Sequence, residues 1–198
     1  MNINTVDFEK GGGLVPVIVQ NADSLHVLML GYMNKDALAK TQESGLVTFY
    51  SRSRKCLWTK GETSGNTLSL VDMAIDCDND TLLIMARPKG PTCHTGTISC
   101  FGKDGAPGLG FLSELETLIK GRKNADPDSS YTASLLQGPL RRMAQKVGEE
   151  GVEVALAAVA ETPEKLTSEA ADLLYHMMVL LAAKDVSLAD VIAELRGR

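Results

Sequence analysis

Residues 76–100, DCDNDTLLIMARPKGPTCHTGTISC, hold three of the chain's four cysteines, Cys77, Cys93 and Cys100, together with Asp76, Asp78, Asp80 and His94. Thiolates select zinc, whereas clustered carboxylates suit magnesium or calcium, so the stretch speaks for two kinds of metal. The runs Thr67–Cys77 and Thr81–Arg87 predict a strand pair around Asn79 and Asp80. If the first strand continues toward Asp80, alternation sends the aspartates to one face and Cys77 to the other. Three cysteines with an open fourth position is the pattern of a catalytic zinc, and His94 as a fourth ligand would close it into a structural one. Surface aspartates that bind nothing are the third reading.

Outward from this stretch, the two halves of the 198-residue chain differ in composition. All four cysteines, thirteen of eighteen glycines and six of nine aromatics precede residue 111, while thirteen of nineteen alanines follow it. The glycine- and proline-bearing stretch Gly102–Gly110 marks the change, with a linker expected at 104–110 between domains at 1–103 and 111–198. A net charge of -5 argues against nucleic-acid or membrane-surface partners, which need a basic footprint. The N-terminus lacks the basic segment and apolar core of a signal peptide, and no apolar run is long enough to span a bilayer. A cytosolic protein is expected, in which cysteines serve as ligands or catalytic groups more often than as disulfides; Cys56 is left over.

In the first half, Leu14–Gln20 and Leu25–Leu30 read as strands. Asn34 caps a helix over Lys35–Glu43 that Gly45 ends, and Leu46–Ser51 returns to strand. The expected fold is a mostly-β α+β metal-binding domain. Arg52, Arg54 and Lys60, with the glycine- and hydroxyl-rich turn that contains Ser64, are candidates to receive phosphate; solvated loops are the plain alternative.

The second half turns helical. Leu112, Leu115, Leu118 and Ile119 predict one helix, Tyr131–Gln137 another, and Pro139 opens a long one to about Ala160. Thr162-Pro163 starts a further helix to about Lys184, apolar nearly all round from Leu173 to Ala183, and Ser187 caps a last one. An all-α helical bundle is expected. The long helix carries Glu149, Glu150 and Glu153, and the next carries Glu169 and Asp172. Spacings of three and four group these carboxylates on helix faces, and antiparallel packing turns the two sets toward each other. Such a cluster needs cations between its charges, which suits magnesium-assisted polyphosphate hydrolysis. Arg141, Arg142 and Lys146, one to two turns earlier, are candidate phosphate holders or plain surface charges.

With both constellations in view, the chain resembles the bifunctional histidine-biosynthesis enzymes that fuse phosphoribosyl-AMP cyclohydrolase to phosphoribosyl-ATP pyrophosphohydrolase. The residues that carry the likeness are Val27–Asn34, Phe49–Arg54, Leu57–Asn66, Asp76–Asp80 and Gly90–Phe101, with Glu149, Glu150, Glu153, Glu169 and Asp172 in the second half. The resemblance implies that Cys77, Cys93 and Cys100 bind Zn2+, with ligands contributed across a homodimer interface as one arrangement, and that Asp76, Asp78 and Asp80 bind Mg2+. It implies small-molecule phosphoribosyl nucleotides as substrates. The second domain would release pyrophosphate from phosphoribosyl-ATP, with Glu150 and Glu153 as catalytic carboxylates. The first would open the adenine ring of the product by water attack at C6, with His94 as proton carrier or fourth zinc ligand. A nucleobase deaminase lacks support, because its His-x-Glu and Pro-Cys-x-x-Cys arrangement is absent. A general nucleotide pyrophosphatase fused to a non-catalytic zinc-stabilised binding module is the remaining alternative.

Overall fold

The computed structural model describes residues 5–102, 105, 106 and 108–198; residues 103, 104 and 107, which belong to the expected domain end and linker, lie outside it. The chain divides into two compact units, Met1–Phe111 and Leu112–Arg198.

The first unit contains β1 (Val15–Asn21), β2 (Val27–Met33), α1 (Lys35–Ser44), β3 (Thr48–Ser51), β4 (Cys56–Thr59), β5 (Leu68–Ile75) and β6 (Leu82–Pro88). Four strands form a sheet in the order β2-β1-β6-β5, and β3 pairs with β4 separately. β1 runs antiparallel to β2 and parallel to β6, so the sheet's centre joins segments more than sixty residues apart in sequence. Alternation explains which face is buried. Val15, Val17 and Val19 of β1 are fully buried, as are Leu82, Ile84 and Ala86 of β6, and the register pairs Val17 with Leu82 and Val19 with Ile84. Phe49, Leu28, Met33 and Leu68 complete this core. α1 is bounded as its sequence predicts: the Asn34 side chain accepts from the Ala37 N–H, and Gly45 closes the helix at φ 69°.

The paired strands around residue 79 are present as the antiparallel hairpin β5–β6, with Ile75 opposite Leu82. The continuation toward Asp80 is not. β5 stops at Ile75, because Asp76 Oδ1 accepts the N–H groups of Asp80 (3.0 Å) and Thr81 (3.1 Å), which folds the chain back, and Asn79 turns at φ 66°. Strand alternation therefore does not sort oxygen from sulfur here, and Cys77 shares a loop with the aspartates. Two strand ends also move: β2 starts at Val27, since Leu25 lies in the turn at φ 58°, and β3 starts at Thr48.

Among the described residues the second unit is helical. α2 (Gly110–Gly121) begins at the boundary between the units, and α3 (Tyr131–Gln137), α4 (Leu140–Ala160), α5 (Pro163–Ala183) and α6 (Leu188–Arg196) follow. Pro139 stands just outside α4 at ψ 135°, where its missing N–H costs nothing. Thr162 caps α5 by accepting from the Lys165 N–H, and Ser187 with Asp190 forms a capping box on α6. Ile119, Leu135, Met143, Met178, Val179 and Ala182 make the core. No helix among the described residues is long and apolar enough to cross a membrane.

Candidate functional site

Each unit holds its own set of ionisable donors. In the first, the β5–β6 loop brings carboxylate oxygens of Asp76, Asp78 and Asp80 within 4.8 Å of one another. Desolvation pushes the Asp76 carboxyl up, but the hydrogen bonds from Thr81 and Asp80 outweigh it and leave the group below its ordinary value. Lys10 answers the local negative charge: its Nζ lies 3.1 Å from Asp78 Oδ2, 2.8 Å from the Asp78 carbonyl and 3.6 Å from Asp80 Oδ2.

The other two cysteines of the motif come from the segment after β6. A tight turn forms as the Cys93 N–H reaches the Thr97 carbonyl at 3.0 Å, with Gly96 at φ 88°. Ser99 Oγ donates to the Val27 carbonyl (2.7 Å) and the Cys100 N–H to the Leu28 carbonyl (2.8 Å), which ties the segment to the start of β2. Thr95 Oγ1 donates to Cys93 Sγ at 3.1 Å. That hydrogen bond, reinforced by the Thr95 backbone, Thr97 and Cys100, lowers the Cys93 thiol to about 6, so it is a thiolate at neutral pH. Cys100 is held above its ordinary value by burial and by the Cys93 sulfur beside it, against the pull of the Lys60 charge. His94 is exposed, with Nδ1 3.8 Å from Cys93 Sγ. Cys93 and Cys100 are thus neighbours, but among the described residues no three-member donor group within one chain includes a cysteine sulfur.

The expected phosphate holders of this unit are spread along the β3–β4 region. Arg52 stacks over Tyr32 at 3.8 Å, Arg54 is exposed, and Ser64 Oγ accepts from the Asn66 N–H at 3.3 Å. Lys60 is only 8% exposed, so its stem is packed in the fold. Gly61 shapes the turn between them: it lies at φ 83°, and a Cβ there would meet the Asn66 backbone at 2.3 Å.

In the second unit, α4 and α5 bring oxygens of Glu150, Glu169 and Asp172 within 4.8 Å of one another. Glu150 and Glu169 are each 6% exposed, and carboxylates this buried need partners. Lys165, one turn before Glu169, pairs with it; Lys146 Nζ lies 3.6 Å from Glu150 Oε1. Glu153 flanks the trio. Its carboxyl is raised first by desolvation and then by the charges of Glu150 and Glu169. Glu149 stands outside the trio. It accepts from Gln145 Nε2 (2.8 Å) and Lys146 Nζ (3.1 Å), which hold its carboxyl below the ordinary range. Beside it, an open cavity of about 450 Å³ is lined by Pro139, Arg141, Arg142, Gln145, Lys146 and Glu149.

Sequence reasoning missed His176, which is 7% exposed with Nδ1 3.5 Å from Glu150 Oε1. The signal was available: Glu169, Asp172 and His176 follow at i, i+3 and i+7, one face of α5. Lys10 and Lys165 were also overlooked as counter-ions.

Comparison with known proteins gives each unit a hydrolase family. A family model described as phosphoribosyl-AMP cyclohydrolase matches residues 29–102, and one described as phosphoribosyl-ATP pyrophosphohydrolase matches residues 112–198. The curated histidine biosynthesis bifunctional protein HisIE of Escherichia coli (strain K12) is 60% identical over 193 residues, which is 98% of this chain and 95% of the relative. The HisIE protein of Vibrio vulnificus (strain YJ016) is 57% identical over 197 residues, covering 98% of this chain and 92% of the relative. The chain belongs to the HisIE family of bifunctional histidine-biosynthesis enzymes.

Proposed function

We propose that the two units catalyse consecutive hydrolyses on one metabolite. The second unit splits phosphoribosyl-ATP into phosphoribosyl-AMP and pyrophosphate, and the first opens the purine ring of that product. What supports this division most is that each unit carries a separate donor set of its own, with thiols only in the first.

In the second unit, a helical bundle on this reading, the donors are hard oxygens, partly desolvated and gathered from two helices, which is the chemistry that fits Mg2+. Glu150, Glu169 and Asp172 would hold the ion, with Glu153 beside them; Glu149 belongs to the rim. Such an ion neutralises charge that develops on phosphate oxygens. Arg141, Arg142 and Lys146 line the adjoining cavity and orient the triphosphate by charge-assisted hydrogen bonds. Glu153, its carboxyl raised by desolvation and by the charges of Glu150 and Glu169, takes the proton from the attacking water.

In the first unit, Cys93 as a ready thiolate and Cys100 beside it suit Zn2+, and Asp76, Asp78 and Asp80 suit Mg2+. A third thiolate is Cys77 of a second copy of the chain, which makes a homodimer the active form. Zinc supplies Lewis-acid activation of water. The protein's own part is to place the ring: Arg52, Arg54, Lys60 and Ser64 take the phosphoribosyl phosphates, and His94 carries a proton between water and the purine. N1 already bears a ribosyl group, so collapse of the C6 adduct breaks the N1–C6 bond and retains the exocyclic amine.

The test is an absorbance record on adding phosphoribosyl-AMP to the protein with Zn2+ and Mg2+. A new imidazole-carboxamide chromophore is the expected result. Ammonia release, or no change at all, overturns the ring-opening assignment.

A further inference from the structure

We propose that His176 is a positioning residue of the acidic site: with its Nδ1–H given to the Asp172 carbonyl and Nε2 facing the Tyr131 hydroxyl, its ring is fixed beside Glu150 Oε1 and orients that carboxylate. The inference rests on the reading of this site as the pyrophosphohydrolase centre.

The tautomer follows from the partners. Nδ1 lies 2.9 Å from the carbonyl oxygen of Asp172, one turn earlier on α5. A carbonyl only accepts, so Nδ1 must carry the proton. Nε2 lies 3.2 Å from the Tyr131 hydroxyl. Tyr131 is the first residue of α3, so two helices hold one ring.

Orientation is specified as well. Tyr131 meets the imidazole at a right angle (88°) with centroids 6.2 Å apart, and Tyr175 does so at 74° and 5.1 Å. The Tyr175 hydroxyl is itself paired with Thr132 Oγ1 at 2.7 Å. A ring packed between two aromatic side chains, with both nitrogens engaged, has one orientation available. Nδ1, bonded to the Asp172 carbonyl, then lies beside Glu150 Oε1.

Glu150 Oε1 therefore faces two donors, His176 Nδ1 at 3.5 Å and Lys146 Nζ at 3.6 Å. At these lengths neither contact is a strong hydrogen bond, so the effect is on direction more than on binding strength. Orienting partners of this kind matter at metal sites, where their loss costs roughly 10–100-fold in ion affinity or activity. His176 stands beside the Glu150 oxygen that Lys146 also faces, and Tyr131 keeps the ring in that place.

Two full-length variants and one spectrum test this. His176→Leu keeps apolar volume without a donor, whereas His176→Asn restores an N–H near the Nδ1 position. For His176→Leu, Mg2+ affinity and kcat for pyrophosphate release are expected to fall about 10–100-fold, with little change in KM for the nucleotide. His176→Asn should recover most of both. Mg2+ affinity is read by calorimetry, as the component of the isotherm that Glu169→Gln removes, and an unchanged helical far-UV dichroism signal reports that the second unit is folded. Equal losses in the Asn and Leu variants, or unchanged Mg2+ affinity in Leu, would overturn the proposal. The chain has three histidines, so the 15N ring signals of His176 are assignable by difference. A protonated Nδ1 is expected, with the Nε2 signal moving in Tyr131→Phe; a bare Nδ1 overturns the proposal. That spectrum does not depend on the reaction, so a wild-type chain that releases no pyrophosphate would refute the functional reading and leave the tautomer test standing.

Discussion

The carboxylates of α4 and α5 are delivered by two helices, whereas the donors of the first unit sit on loops, and this governs how complete each set is. Helical spacing puts Glu169 and Asp172 on one face and Glu150 opposite them, so the trio converges within a single chain. Cys77 comes from the β5–β6 loop, and Cys93 and Cys100 from the segment after β6; Cys77 and Cys100 are exposed. Counter-charge differs in the same way. Lys146 and Lys165 precede their partners Glu150 and Glu169 by one helical turn, while Lys10 reaches Asp78 across sixty-eight residues of sequence. Local geometry assembles the second site; tertiary structure, and on our proposal a second chain, assembles the first.

The largest effect is expected where the helical trio is broken. Glu169→Gln removes a buried carboxylate that on our proposal binds the ion and leaves Lys165 without its partner, and pyrophosphate release should fall by about 100-fold, measured by coupled phosphate detection. A residual rate within a few-fold of wild type would show that the trio is not the reaction centre. Next is His94→Ala, which should keep its zinc and lose ring opening by about 100-fold or more, as loss of a general acid–base group does. Metal analysis decides it, since loss of zinc would make His94 a ligand instead.

Chain mixing sharpens the comparison further. If Cys77 serves the Cys93–Cys100 pair of another copy, Cys77→Ala and Cys93→Ala chains are each inactive in ring opening. An equal mixture should recover about a quarter of wild-type activity, because half the dimers are mixed and one of their two sites is intact. No recovery would place all three ligands in one chain or in none. The smallest effect is a pH midpoint. In metal-free protein the thiolate is the reactive form, so alkylation of Cys93 should rise through a pH of about 6, while Cys100 reacts only above the ordinary thiol value. Thr95→Val, which removes the main hydrogen bond to Cys93, should move the lower midpoint upward.

The same contrast explains what the sequence made legible. α1 was readable to its caps, because Asn34 and Gly45 act within one turn of the helix they bound. The acidic pairs were readable because spacings of three and four are local. The parallel pairing of β1 with β6 was not, since nothing within either strand names a partner that distant. The loop at Asp76–Asp80 was misread as strand because an aspartate that folds back onto its own backbone leaves no trace in an apolar alternation. Glu149 was grouped with the other carboxylates by spacing and by resemblance, and its contacts with Gln145 and Lys146 were not legible in either. His176 was hidden for a further reason: a single histidine in an apolar helix reads as core until Tyr131, forty-five residues earlier, is seen to meet it.

The most direct test of two separate centres on one chain is a paired assay of Glu150→Gln. Given phosphoribosyl-ATP, this variant should release no pyrophosphate; given phosphoribosyl-AMP, it should open the ring at the wild-type rate. Loss of both activities in a folded, zinc-replete protein would contradict the division of labour between the units.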